Sequence, residues 1–120
     1  FLIWNVPGEP AFIAHIESVL TLRDGPWVIF LFSDIYEVTP GRNPSQRLLK
    51  AVATLNDTML VGTVSLGRVQ EKVLLNLCSS LWLETTTPRE LARHLDFLFF
   101  QRTHLRQIFE PFLANGELMG

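Results

Sequence analysis

The strongest constraint on the fold is a helix start at residues 87–90, followed by a long stretch without helix breakers. Thr87 can cap the first turn, Pro88 suits the first helical position, and Glu90 completes a capping box. No proline or glycine follows until Pro111, so the sequence predicts a helix of about 23 residues, roughly 35 Å long. A helix of this length exceeds what a small sheet needs.

The chain before residue 87 alternates between short apolar runs and segments with helical spacing. Apolar runs predict strands at residues 1–6, 27–32, 59–64 and 81–83. Apolar residues at helical spacing predict helices at residues 10–20, 44–56 and 69–77. Because the run at 27–32 is continuously apolar, we expect it to be the central strand, buried on both faces. Residues 33–43 are predicted to form the loop that follows it.

This alternation predicts the fold class. Strands that alternate with helices of about ten residues form parallel βαβ units with right-handed crossovers. We therefore expect an α/β fold, a three-layer sandwich around a mainly parallel sheet of four or five strands. The 120 residues, 48% of them apolar, suffice for one core, so residues 1–120 are predicted to be a single domain. Because the first residue is Phe1, in an apolar run, we expect this domain to be excised from a longer chain.

Composition excludes several classes of protein. Charged residues make up 18% of the chain, which is too few for a disordered segment, and no apolar run approaches the roughly 18 residues of a membrane span. The net charge of -2 argues against general nucleic-acid binding. Cys78 is the single cysteine and can form no internal disulfide, and no secretory leader is evident. A cytoplasmic location is therefore expected.

Asp34 is the first candidate for a functional side chain. It follows the predicted central strand, and open parallel sheets keep their sites at the carboxyl ends of their strands. The alternative is that Asp34 only hydrogen-bonds the turn that follows, as aspartate often does.

Asp34 also begins a series of features in a particular order. Pro40-Gly41 follows in the predicted loop, Thr63 and Ser65 stand at the end of the next strand, and Pro88-Arg89-Glu90-Leu91 begins the last helix. This order, over residues 27–103, resembles the receiver domain of two-component response regulators. The resemblance implies a flavodoxin-like fold with Asp34 in the place of the phosphorylated aspartate.

Three departures from the receiver pattern are evident. A receiver holds Mg²⁺ with a pair of acids after its first strand, where this chain offers at most Glu9. The family's phosphate-binding lysine falls near Glu84, whose negative charge would repel a phosphoryl group. The resemblance therefore implies a phosphorylation-independent pseudo-receiver with a vestigial site at Asp34, Thr63 and Glu84. Because the family's outermost strand has no counterpart, we also expect residues 1–6 to lie at an open sheet edge.

The last helix carries two apolar stripes. The first consists of Leu91, Leu95, Leu98, Arg102 and Leu105, and the second of Phe97, Phe100, His104 and Ile108. One stripe can cover the sheet, and the other needs a different cover: the tail at residues 109–113, or a protein partner that includes a second copy of the chain. The second stripe is therefore the candidate interaction surface.

Together these features favour a non-catalytic regulatory or protein-interaction module that binds a protein partner or forms a homodimer through its C-terminal helix. The alternative is a small-molecule or nucleotide-binding enzyme domain with its site at Asp34, Thr63 and Ser65. A third hypothesis is a structural piece of a larger assembly. No cofactor is predicted, and the 3 histidines share no metal-ligand spacing with each other or with Cys78, so no metal site is predicted either. Cys78 follows several leucines and is expected to lie in the core.

Overall fold

The computed structural model describes residues 2–4, 11–18 and 26–120, which form one sheet and three helices. The strands are β1 (Leu2–Trp4), β2 (Phe12–Ser18), β3 (Trp27–Val38), β4 (Thr63–Val69), β5 (Lys72–Trp82) and β6 (Leu118–Met119). The helices are α1 (Gln46–Thr58), α2 (Pro88–Ile108) and α3 (Glu110–Ala114).

The sheet is antiparallel. Its strands lie in the order β1-β2-β3-β5-β4, and β6 pairs with the end of β3 that extends beyond β2. Every registered pair of neighbouring strands runs antiparallel. The expected parallel, flavodoxin-like sheet is therefore wrong, because two of the helices that would have connected parallel strands are themselves strands.

The first of these is the helix predicted at residues 10–20, of which residues 12–18 form β2. Phe12 and Ala14 are buried on one face of the sheet, while Ile13 and His15 lie on the other. Apolar residues at positions 12, 13 and 16 fit helical spacing and strand alternation alike, so the pattern did not separate the two structures. Several predicted positions lie outside the described residues. They are the ends of this predicted helix, residues 1, 5 and 6 of the first predicted strand, and Glu9.

The second is the helix predicted at residues 69–77, where the structure has a β-hairpin. β4 turns into β5 at Gln70 and Glu71, and Val69 pairs with Lys72. Gln70 has a φ of 57°, a left-handed value that hairpin turns usually assign to glycine. Because glutamine is not a typical turn residue, this reversal of the chain could not be predicted from the residue types. The strands predicted at 59–64 and 81–83 are displaced accordingly.

The central strand is longer than predicted. β3 lies between β2 and β5, as expected, but continues to Val38, so residues 33–38 are not the predicted loop. A bulge between Asp34 and Tyr36 shifts the register against β5 and leaves Ile35 and Tyr36 both buried. The strand is fully buried on one face only, whereas burial on both faces was expected.

The two long helices begin close to where their capping residues predict. Thr87 caps α2, because its side chain accepts a hydrogen bond from the backbone N–H of Glu90. Ser45 caps α1, which begins at Gln46. Of the helices in the part of the chain that the structure describes, none is both long and apolar enough to cross a membrane.

The core lies between the helices and one face of the sheet. Its sheet residues all come from that face, and Leu31, Leu75 and Leu77 are completely buried there. α2 contributes Leu95, Leu98, Arg102 and Leu105, which belong to the first of its two apolar stripes. The fold is therefore a two-layer sandwich, and the expected third layer is absent among the described residues.

Arg102 is 1% exposed, although it carries a charge. Its guanidinium packs against the rings of Phe12 and Phe99, 4.9 Å from each ring centroid, and the two rings also contact each other edge to face, with centroids 4.8 Å apart. The guanidinium donates a hydrogen bond to Ser33 Oγ. Ser33 Oγ in turn donates to the backbone carbonyl of Ala11 at 2.8 Å. These contacts join α2 to β2 and β3 at one point, so Arg102 fixes the position of the helix on the sheet.

The strands at the two ends of the sheet are β1 and β4. Among the residues that the structure describes, β1 lies at one end, which confirms that the first strand is at a sheet edge. β4 lies at the other end, and Asn56 of α1 pairs with it: Asn56 Nδ2 donates to the carbonyl of Val64 at 2.7 Å, and Asn56 Oδ1 accepts from the Val64 N–H at 2.8 Å. This amide therefore takes the place of a neighbouring strand at Val64.

Candidate functional site

Two surfaces carry side chains that could act on another molecule. The first, which we call the open sheet face, is the face opposite the helices. Side chains alternate along a strand, so registered neighbours share a face. The open sheet face consists of Ile13, His15 and Glu17 of β2, Val28, Phe30, Phe32 and Asp34 of β3, Thr63 and Ser65 of β4, and Asn76, Cys78, Ser80 and Trp82 of β5.

Aromatic rings dominate one half of the open sheet face. The His15 ring lies 5.3 Å from that of Phe30 and 5.8 Å from that of Phe32, and the two phenylalanine rings are 5.6 Å apart. Trp82, at the end of β5, is 54% exposed. This half therefore offers three rings in mutual contact, with Trp82 exposed near the end of β5.

The other half of the open sheet face is polar. Asp34 is registered with Asn76, and Asn76 with Ser65, so these side chains form a row across three neighbouring strands. Thr63 belongs to the adjacent row, beside Cys78, whose Sγ lies 3.7 Å from Ser65 Oγ. The structure thus places Asp34, Thr63 and Ser65 on one face of the sheet, along β3 and the edge strand β4, rather than together at the carboxyl ends of parallel strands.

The electrostatics of this row do not provide a reactive group. Burial raises the pKa of the Cys78 thiol, and nearby Asp34 raises it further, while the hydrogen bond to Ser65 lowers it. Burial also raises the pKa of Asp34, with a contribution from Glu37. A thiol with a raised pKa stays protonated at neutral pH and is a poor nucleophile.

Glu84 is not close to the other residues of the predicted vestigial site. It follows the end of β5 that is remote from Asn76, the partner of Asp34, and at about 3.4 Å per residue it lies on the order of 20 Å or more from Asp34. Within residues 2–4, 11–18 and 26–120, no group of three or more His, Cys, Asp or Glu side chains is arranged to hold a metal ion.

The second surface, which we call the outer stripe, consists of Phe97, Phe100, His104 and Ile108 of α2. At 100° per residue these four side chains fall within about 80° of the helix circumference, on the side away from the core. Phe100 is 75% exposed, Phe97 45% and Ile108 37%. The tail does not cover them, because its Phe109 and Phe112 are buried in the core.

A shallow cleft of about 380 Å³ lies beside Phe97, between α2 and the sheet. Its lining consists of Val61, Leu81, Glu90, Arg93, His94 and Phe97. His94 Nε2 lies 2.7 Å from Ser79 Oγ, and burial lowers the pKa of His94, so its ring is neutral at physiological pH. The cleft can therefore receive an apolar side chain from a partner without creating an unpaired charge at His94.

The sequence of β5 alone could have shown that this segment is a strand with one buried face and one open face. In residues 72–82, Val73, Leu75, Leu77 and Leu81 alternate with Asn76, Cys78 and Ser80, which is the period of a strand with one buried face. We expected Cys78 in the core of a helix, but it is half-buried on the open face of a strand.

Comparisons of the chain with protein-family models, with curated proteins and with solved structures find no match. The two exposed surfaces are therefore the features of the chain that bear on its function.

Proposed function

We propose that the chain is a non-catalytic protein-interaction module that binds through the outer stripe of α2. The observation that carries this proposal is the 75% exposure of Phe100 in a regular helix, with Phe97 one turn before it and Ile108 about two turns after it on the same side. Contiguous exposed apolar residues are uncommon on monomeric proteins and mark surfaces that bind another macromolecule.

The outer stripe is presented on a rigid element. The opposite side of α2 is buried through Leu95, Leu98 and Leu105, and Arg102 packs against two aromatic rings. A helix fixed in this way loses little conformational entropy when its outer side chains are covered. The cleft beside Phe97 adds a recess into which a partner's apolar side chain can insert.

The energy available from this surface supports binding. Burying a phenylalanine contributes about 1.5–3 kcal/mol relative to exposure, so covering Phe97 and Phe100 contributes several kcal/mol before the entropic cost of association.

The enzyme alternative at Asp34, Thr63 and Ser65 has weaker support. These side chains lie on the surface of the sheet, and the neighbouring Cys78 thiol is kept protonated by its raised pKa. None of the contacts described for them activates a nucleophile, which an enzyme of this kind would require.

Sedimentation velocity of the whole chain, at micromolar and at near-millimolar concentration, tests the proposal. We expect the wild type to sediment increasingly faster than a 13.7 kDa monomer as concentration rises. The double variant Phe97→Ser with Phe100→Ser should remain monomeric, and the single variant Phe100→Ser should lose most of the association without loss of thermal stability.

Leu49→Ser is the matched control, because Leu49 is also an exposed apolar residue on a helix but lies on α1. It should associate like the wild type. If the outer-stripe variants fold and also associate like the wild type, the outer stripe is not the binding surface and the proposal fails.

A further inference from the structure

A cluster of polar and charged groups joins the start of α1 to the C-terminal residues 115–120. Ser45, the N-cap of α1, has an extended backbone, and its Oγ accepts a hydrogen bond from the Leu48 N–H at 3.1 Å. The Glu117 carboxylate interacts with this hydroxyl and accepts a hydrogen bond from Asn115 Nδ2 at 2.7 Å. The cluster belongs to neither the outer stripe nor the open sheet face.

The surroundings of Ser45 are basic. Residues 38–50 include Arg42, Arg47 and Lys50 and contain no acidic residue. Arg42 and Arg47 are both exposed, and the first turn of α1 adds the partial positive charge of a helix N-terminus. A negative charge added to the Ser45 hydroxyl would therefore be stabilised at this position.

Glu117 is the acidic group that uses this positive charge in the structure. Its pKa is lowered chiefly by the Ser45 hydroxyl and then by the Asn115 amide, both of which stabilise the carboxylate. The charges of Arg47 and Arg42 lower the pKa of Glu117 further. A phosphoryl group on Ser45 would thus compete directly with Glu117 for the two arginines.

Glu117 also belongs to the contact that holds the C-terminal residues on the sheet. The Thr39 N–H donates to the Glu117 backbone carbonyl at 3.0 Å, and Thr39 Oγ1 donates to the Gly116 carbonyl at 2.6 Å. Next to them, β6 pairs with the end of β3, and Leu118 is buried. A force on the Glu117 side chain therefore acts on the attachment of β6.

We propose that Ser45 is a phosphorylation site and that its phosphoryl group loosens β6 by competing with Glu117. A protein kinase transfers the γ-phosphoryl group of ATP to Ser45 Oγ. A bond forms between Oγ and the γ-phosphorus, the bond from that phosphorus to the bridging oxygen breaks, ADP leaves, and the hydroxyl proton passes to a base of the kinase. Residues 39–44 form neither helix nor strand, so this segment can enter the substrate cleft of a kinase.

The phosphoryl group changes the cluster in two ways. It adds a charge of about −1.5 to −2 and three acceptor oxygens, which Arg42, Arg47 and the first N–H groups of α1 can satisfy. It also removes the Ser45 hydroxyl proton and places a like charge beside Glu117. Repulsion between like charges a few ångströms apart in water changes an equilibrium by roughly tenfold, so we expect β6 to detach about tenfold more often.

Reaction with a purified kinase tests the site itself. The whole chain is incubated with ATP, Mg²⁺ and the catalytic subunit of cyclic-AMP-dependent protein kinase, which selects serines that follow arginine, and the products are located by mass spectrometry. We expect one phosphoryl group on Ser45, none on Ser45→Ala, and a reaction at least about tenfold slower for Arg42→Gln. An unmodified wild type, or a Ser45→Ala variant modified equally well, overturns the assignment.

Hydrogen exchange tests the effect on β6. Phosphoserine is installed at position 45 by genetic-code expansion, and amide exchange is followed by NMR spectroscopy. We expect the Thr39 N–H, which donates to Glu117, to exchange about tenfold faster, because this bond breaks when β6 detaches. The Leu91 N–H, which donates to Thr87 in the first turn of α2, should keep its rate.

Glu117→Gln is the matched control, because it removes the carboxylate and keeps the side-chain shape. In this variant phosphoserine should leave the exchange of Thr39 unchanged. If phosphoserine has no effect on Thr39 in the otherwise wild-type chain, or accelerates exchange equally in Glu117→Gln, competition with Glu117 is refuted. Equal acceleration at Leu91 would show general destabilisation and would also overturn the inference.

Discussion

Truncation of Arg102 to alanine is the most informative perturbation of the fold. The side chain is buried, its guanidinium contacts the rings of Phe12 and Phe99, and it donates to Ser33 Oγ. Arg102→Ala removes all of these contacts and leaves a cavity beside the two rings. We therefore expect α2 to lose its attachment to β2 and β3 at this point.

The magnitude follows from the contacts. Two lost methylenes cost about 1.6 kcal/mol, two cation–π contacts about 1 kcal/mol each, and one hydrogen bond from a charged donor about 1.5 kcal/mol or more. Removing a buried charge also relieves a desolvation penalty of several kcal/mol, which offsets part of this loss. The net expectation for Arg102→Ala is a decrease of about 2–4 kcal/mol in the free energy of unfolding.

Urea denaturation followed by circular dichroism measures this change. With a slope of about 1.5 kcal/mol per molar urea, the midpoint should fall by about 1.3–2.7 M. Arg102→Met keeps the volume without the charge and should lie within about 1 kcal/mol of the wild type, and the exposed Arg93→Ala should lie within about 0.5 kcal/mol. If Arg102→Ala were as stable as Arg93→Ala, the view that Arg102 fixes the helix on the sheet would be refuted.

Three further predictions concern single residues. Burial lowers the pKa of His94 in the folded state below its value of 6.5 in the unfolded chain. As pH falls below 6.5, the unfolded state therefore binds a proton more readily than the folded state does, and the free energy of unfolding decreases. Urea midpoints between pH 7.5 and about pH 5 should therefore fall less steeply for His94→Gln than for the wild type. Burial is the main reason that the pKa of Asp34 is raised above 3.8, so the charged carboxylate opposes folding at neutral pH. Asp34→Asn should therefore raise the urea midpoint at pH 7, and this increase should vanish as pH falls to 3.8. Asn56→Ala leaves the N–H and carbonyl of Val64 without their partner and should cost about 1.5–3 kcal/mol in the same assay; no measurable loss would show that water satisfies these groups equally well.

The parts of the fold that were predictable are those with strong local signals. Thr87-Pro88 and the absence of helix breakers located α2, and the continuous apolar run at residues 27–32 located the central strand. The two apolar stripes of α2 also follow from sequence spacing, and the structure buries the first while exposing the second.

The parts that were not predictable depend on tertiary pairing. β2 has apolar residues that fit both periods, and the reversal at Gln70 uses a positive φ at a residue that gives no turn signal. Because both segments were predicted as helices, the strands next to them were predicted to be parallel. The wrong prediction of a flavodoxin-like fold followed from this. Asp34 was predicted to follow the end of a strand, because the bulge after which β3 continues to Val38 gives no signal in the sequence.

Footprinting of the outer stripe by hydroxyl radicals tests the central claim most directly. Phe97 and Phe100 of the wild type are oxidised at micromolar and at near-millimolar concentration, and the rates are read by mass spectrometry, with Leu49 as an internal reference away from α2. We predict that both phenylalanines become protected at the higher concentration while Leu49 remains equally reactive. Association of the chain with no change in the oxidation of Phe97 and Phe100 would contradict the claim that this module binds through the outer stripe.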